Sequence, residues 1–356
     1  MKECFNYKKM AAMGLVLGSC LLTGCAKFFP AEKEETSAQT TSDTREIFAM
    51  DTVMTVTAYG DLAEEAVQAA EEEIERLDAL FSVGNASSDI ARLNENTSAV
   101  VSGETCELIR RSKDLYQSTK GALNIAVYPL MEAWGFTSGE YRVPDQKEID
   151  AILNCMDVEE ISCDEDTGEV TLPEGMGIDL GAIAKGYTSA QLMEIFASYD
   201  ITSAIVSLGG NVQALGSKPD GTKWRVAVED PFSEEGDSYA GILEIKDQAV
   251  ITSGAYERYF EQEGKRYHHI IDPATGYPAE NGLESVTIVS QDGTLADALS
   301  TALFVMGKEK ALAYWKEHAD DFEAILIENN GDMTITEGLQ DCFSSQKSFS
   351  VEKKDQ

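Results

Sequence analysis

Ala204-Ile205-Val206-Ser207-Leu208-Gly209-Gly210-Asn211 reads as a short buried strand brought to a halt by two glycines. The theme recurs downstream. Trp224 to Val228, a pair of runs within residues 240–253, and Val286 to Val289 are further strands, and Phe322 to Ile335 is a hairpin around Asn329-Asn330-Gly331. Upstream, Ile47 to Ala58 alternates like one half-buried strand, and residues 168–180 suggest a hairpin that ends in Ile178-Asp179-Leu180 as a strand. Helical spacing of apolar residues marks 62–81, 105–120 (closed by Gly121), 145–155, a segment opening near Ile183, and 295–306, while 87–94 reads as a loop entering a short turn. Strand runs interrupted by a few long helices predict an α+β fold of mixed, mainly antiparallel sheets with packed helices, not a doubly wound sheet. No long linker follows Ile47, so one folded unit is expected over 46–340, with a polar tail at 341–356.

The 356 residues are 43% hydrophobic and 26% charged, enough for a sizeable core, which excludes disorder and a multi-pass membrane protein. Against 28 Lys and Arg stand 63 Asp and Glu, a formal charge of −35. Such a surface repels phosphate backbones, so nucleic acid is not an expected partner. Any anionic ligand needs a local device: a helix N-terminus, a lysine or a divalent cation.

Lys2, Lys8 and Lys9 precede an apolar run from Met10 to Leu22 and then Leu22-Thr23-Gly24-Cys25. That layout predicts a lipoprotein signal peptide over 1–24, cleaved before Cys25, whose thiol is lipidated. Residues 25–45, rich in Glu, Thr and Ser, are then a flexible tether. The mature protein, at −37, is expected on the extracytoplasmic face of the cell membrane, held by its lipid. Cys106, Cys155, Cys163 and Cys342 lack metal-finger spacing, and both disulfides and free thiols stay open for them.

Four segments carry chemistry. Asp179-Leu180-Gly181-Ala182-Ile183-Ala184-Lys185-Gly186-Tyr187 puts backbone N–H groups and a lysine where a strand hands over to a helix, which makes an anion site. Ser207 to Asn211 offers two glycines beside which a flat ring or a phosphate could lie. His269, ahead of the Ile270-Ile271 pair and the rigid Asp272-Pro273-Ala274-Thr275-Gly276 turn, is a candidate general base. Asp297 and Thr301 stack on one helix face and, with a backbone carbonyl from elsewhere, suit Mg²⁺. Each also has a plain structural reading as a turn, a core histidine or a helix start. No Walker loop and no Gly-x-Ser-x-Gly elbow occurs.

Taken in order, Met50-Asp51-Thr52, Ser88 to Asn94, Gly121-Ala122-Leu123-Asn124 with Trp134-Gly135-Phe136, Asp179 to Tyr187, Ser207 to Asn211, Thr252 to Arg258, His269 to Gly276 and Ala296 to Gly307 closely resemble the FAD:protein FMN transferase family, the ApbE-like lipoproteins. The resemblance implies transfer of FMN from FAD to a Thr or Ser of an extracytoplasmic flavoprotein, with release of AMP. It implies that Asp297, Thr301 and the Ala182 carbonyl hold Mg²⁺ and that Asp179 and Lys185 contact FAD. Met50, Ala122, Leu123, Asn124 and Ile271 would line the flavin and adenine pockets, and His269 would be the base for the acceptor hydroxyl. Asn124 stands where many members carry Asp, and Asp51 where the usual residue is Gly. Family acceptors carry Asp-Gly-x-Ser/Thr-Gly-Ala-Ser/Thr. Here Val250 and Tyr256 occupy its first and modified positions, so the expected acceptor is another protein, a membrane-associated redox subunit. Hydrolysis of FAD to FMN and AMP, and a flavin- or solute-binding lipoprotein without turnover, are the competing readings.

Overall fold

The computed structural model describes residues 41–164, 166–233 and 238–354. The expected leader, Cys25 and most of the expected tether lie outside them. Nine strands, labelled along the chain, form the main sheet: β1 (Ser42–Ala49), β2 (Thr52–Tyr59), β3 (Ser203–Leu208), β4 (Asn211–Leu215), β5 (Ala249–Gly254), β6 (Leu283–Ser290), β7 (Glu323–Glu328), β8 (Met333–Thr336) and β9 (Ser350–Glu352). Their order in space is their order in sequence. Every neighbouring pair is antiparallel except β8 with β9. Among the described residues eight α-helices accompany them: α1 (Ala63–Phe81), α2 (Asp89–Asn96), α3 (Gly103–Ser118), α4 (Tyr128–Trp134), α5 (Gln146–Leu153), α6 (Ala184–Ser198), α7 (Gly293–Met306) and α8 (Lys308–His318). The α+β reading therefore holds.

The structure differs from the sequence reading in several places. The stretch 47–58 is not one strand but the two arms of the β1–β2 hairpin, because Met50 and Asp51 both take positive φ and reverse the chain. The first arm begins at Ser42, so the last residues of the expected tether are sheet. Residues 87–94 open a helix, since the Ser88 hydroxyl accepts the Ala91 N–H at 2.9 Å and caps α2. The hairpin near 168 pairs 162–164 with 169–171, and 178–180 is irregular, with the Asp179 N–H donated to the Ile125 carbonyl at 2.8 Å. The expected polar tail also supplies β9 and a short strand, 343–344, which pairs with 239–245.

Alternation along the strands decides the layers. Ile47, Ala49, Met54, Val56 and Ala58 face α1 and α6, meeting Ala66, Ala70, Ile74, Leu192 and Phe196. Ile251, Val286 and Ile288 face α7 and α8. On the opposite side a three-stranded sheet, 224–229, 239–245 and 343–344, seals Val289, Ile325 and Ile335 with Trp224, Val226 and Leu243. A fourth core, around Trp134, Leu130 and Ile109, joins α2–α5 to the start of α6. The four cysteines of the described residues are free thiols.

Candidate active site

Two reversals sit side by side at one end of the sheet. Leu208 pairs with both Met54 and Asn211, so the Gly209-Gly210 turn abuts the start of β2. A side chain on Gly209 would come within 2.5 Å of the Thr52 hydroxyl, and its φ of +62° is left-handed. Only glycine fits there. The neighbouring Met50-Asp51 turn takes φ of +47° and +59° without glycine, a conformation that favours Gly or Asn. Met50 Sδ comes within 3.9 Å of the Thr188 hydroxyl on α6.

Helices α6 and α7 cross beside these turns at unusually short range. A Cβ on Gly186 would lie 2.2 Å from the Gly293 carbonyl oxygen and 2.5 Å from the Asp297 Cβ. The glycine lets the Gly186 N–H reach Asp297 Oδ2 at 2.7 Å, while Asn211 Nδ2 donates to Oδ1 at 2.9 Å. Asp297 is thus a buried carboxylate that caps the N-terminus of α6, a helix with no cap of its own. The Gly186 N–H lies in the first turn of α6 and is one of the donors that a helix leaves without an internal partner. Asp297 satisfies it from α7, and Ala182 lies just ahead of the same first turn. Thr301, one turn along α7 from Asp297, lies 3.2 Å from the Ser253 hydroxyl of β5, which also meets Ser300 at 2.7 Å.

The charged residues gather around this crossing. Asp179 is pushed above the usual carboxylate range by burial, against the Gly181 N–H it accepts at 2.7 Å and the pull of Arg258 and Lys185. His269 is pushed down to about 3, first by burial, then by Arg258. The residue as a whole is half-buried. Glu257 is pushed up to about 7 by burial, with Glu229 and Asp297 adding and Lys185 opposing. These mutual fields join Asp179, Lys185, His269 and Asp297 into one constellation with Glu257 and Arg258.

The remaining predicted residues border it unequally. Met50, Ala122 and Ala182 are half-buried against the core that holds Leu123 and Ile271. Leu123 and Ile271 are buried core side chains, so any contact of Leu123 with a ligand falls to its backbone. The Asn124 amide is committed at both ends: Oδ1 accepts the Ala126 N–H at 2.8 Å, and Nδ2 donates to the Met156 carbonyl at 2.9 Å. Among the described residues no cluster of three His, Cys, Asp or Glu side chains converges on a metal position. The expected cation set needs only one carboxylate. Sequence reasoning left Asn211, Gly186, Glu257 and Arg258 without roles. The one usable signal was Arg258, a cation four residues beyond β5 in a strongly acidic chain.

Comparison with known proteins shows the family and the fold. The sequence model of the ApbE family matches residues 50–326. A FAD:protein FMN transferase of Klebsiella pneumoniae (strain 342) is 37% identical over 267 residues, 74% of this chain and 82% of that protein. One from Vibrio cholerae is 34% identical over 300 residues, covering 82% and 86%. The crystal structure of the ApbE protein of Thermotoga maritima superposes with a TM-score of 0.79 at 34% identity, over 84% of this chain and 98% of that one. The Pseudomonas stutzeri flavinyl transferase ApbE does so at 0.76 and 28%, over 86% and 98%. The chain is a transferase enzyme and belongs to the ApbE family.

Proposed function

We propose that the protein transfers FMN from FAD to a Thr or Ser hydroxyl of a partner protein and releases AMP. The observation that supports this most directly is the buried Asp297 carboxylate on the first turn of α6, with the Ala182 carbonyl just ahead of that helix in the chain. With the Thr301 hydroxyl, all three are hard donors and fit Mg²⁺. Bound there, the cation would offset charge on the diphosphate and on the transferring phosphoryl group. Lys185 and the α6 N-terminus hold the anionic diphosphate against the net field of the chain. Asp179, Met50, Ala122, the backbone of Leu123 and Asn124, and Ile271 border the nucleotide.

His269 takes the proton of the acceptor hydroxyl as its oxygen forms a bond to the FMN phosphorus. The bridging P–O bond breaks, and AMP leaves with that electron pair. A neutral imidazole is the form this step needs, and burial keeps His269 neutral. Tyr256 is not the acceptor, because its hydroxyl is bonded to Glu229 and is pushed far up. The acceptor we propose is a membrane-associated redox subunit carrying Ser/Thr-Gly-Ala-Ser/Thr, and the leader with Lys2, Lys8 and Lys9 that precedes Cys25 supports lipid anchoring at the extracytoplasmic face of the cell membrane.

The test is to incubate the chain from Cys25 onward with FAD, Mg²⁺ and such an acceptor, then look for a fluorescent band in the gel. Fluorescence on the acceptor is the expected result. AMP without that band means hydrolysis, and neither product means a binding protein. Cys25→Ala in the full chain should move it from the membrane fraction to the soluble one.

A further inference from the structure

The proposed reaction gives Arg258 no task, although no residue is tied more closely to the base. The backbone N–H of His269 donates to the Arg258 carbonyl at 3.0 Å, and Nδ1 lies 3.2 Å from the same oxygen. A carbonyl oxygen only accepts, so Nδ1 carries the proton and Nε2 keeps its lone pair. Backbone and ring are thus referred to a single peptide group. The Arg258 side chain is fixed separately, its Nη2 donating to the Phe136 carbonyl at 2.7 Å. The Phe136 ring in turn meets the His269 imidazole edge to face, with centroids 6.4 Å apart. One aromatic residue therefore braces both the guanidinium and the ring.

The charged and titratable groups acting on His269 are Arg258, His268 from strand 265–268 and Lys185 from α6. Asp179, the nearest carboxylate of the α6 turn, is drawn to Arg258 and Lys185. The usual companion of a general-base histidine is a carboxylate, which raises its basicity. Here the companion is a carbonyl, and the nearby formal charges are positive.

We infer that Arg258 is the positioning residue of His269: its carbonyl oxygen holds the ring proton on Nδ1, and its guanidinium, anchored on Phe136, is a fixed positive charge beside the ring. With the proton held on Nδ1, the Nε2 lone pair is free to accept one. Added to burial, the guanidinium keeps that lone pair free at acidic pH, so the base works without waiting for deprotonation. Only the kinetic arm of the test rests on the transfer reaction proposed above.

The chain contains three histidines, so its ¹⁵N-histidine spectrum is assignable with His269→Asn as reference. In the unaltered protein without FAD, His269 should show the Nδ1–H tautomer and remain neutral down to at least about pH 5. Arg258→Gln should raise its titration midpoint by roughly one pH unit, and Arg258→Lys should restore most of the difference. The acid limb of kcat/KM for FMN transfer should move by the same amount. An Nε2–H tautomer in the unaltered protein, which needs no variant to fold, overturns the inference. So does an unmoved midpoint in folded Arg258→Gln. A midpoint that moves while the acid limb stays put upholds the inference and removes His269 from the role of base.

Discussion

At the residue scale the decisive side chain is Asp297, because it serves the scaffold and the site at once. Asp297→Ala leaves two buried donors, the Gly186 N–H and Asn211 Nδ2, without partners. Such losses cost about 2–4 kcal/mol, and flavin transfer should fall at least about 100-fold. Asp297→Asn keeps one acceptor and loses less stability, about 1 kcal/mol, yet should be nearly as inactive. Denaturant titration beside the gel assay separates the two losses, and an active Asn variant would remove the carboxylate from the chemistry. The sequence could show that Asp297 and Thr301 share a helix face, since spacing of four guarantees it. It could not show that Asp297 caps a different helix, 111 residues away along the chain. Leu123 and Asn124 mark the same boundary: a motif names the segment near a ligand, but packing decides whether side chain or backbone meets it.

At the scale of elements, glycines and turns set the geometry. Gly186→Ala drives a methyl into the Gly293 carbonyl and forces α6 and α7 apart. We expect a loss of about 1–3 kcal/mol and a transfer activity that collapses further than the stability explains, read from melting and rate on the same preparation. Asp51→Gly acts in the other direction. It relieves a left-handed residue in the two-residue turn and removes a negative charge felt by Asp78 and Asp179, so it should raise stability by about 0.5–1 kcal/mol in denaturant titration. The long helices were legible because 3.6-residue periodicity survives in a solvated, Glu-rich face such as that of α1. The β1–β2 hairpin was not, because Met50-Asp51 carries neither Gly nor Asn, and alternation continues unbroken in the letters while the chain reverses.

For the whole molecule the governing quantity is its negative charge. Burial raises Glu257 to about 7 and shifts Asp179, Glu229, Glu284 and Glu323 upward as well. A raised acid holds its proton in the folded state where the unfolded chain has released it, so its contribution is lost as pH rises, for Glu257 between about 4.5 and 7. His269, lowered to about 3, works oppositely: the unfolded chain gains a proton below 6.5, and stability falls as pH drops from there. The melting temperature should therefore decline from pH 6 to pH 8, recover with added salt, and show a gentler acid-side loss in His269→Asn. A melting temperature that rises from pH 6 to pH 8 at low salt would contradict this balance. Composition made the sign of the charge plain, but which carboxylates are buried depends on the fold. The main sheet adds one more consequence. Because no later strand is inserted between earlier ones, each new arm can dock onto a finished edge as the ribosome delivers it, and a nascent chain stopped anywhere short of β9 exposes a single growing border, the place where a chaperone would be needed.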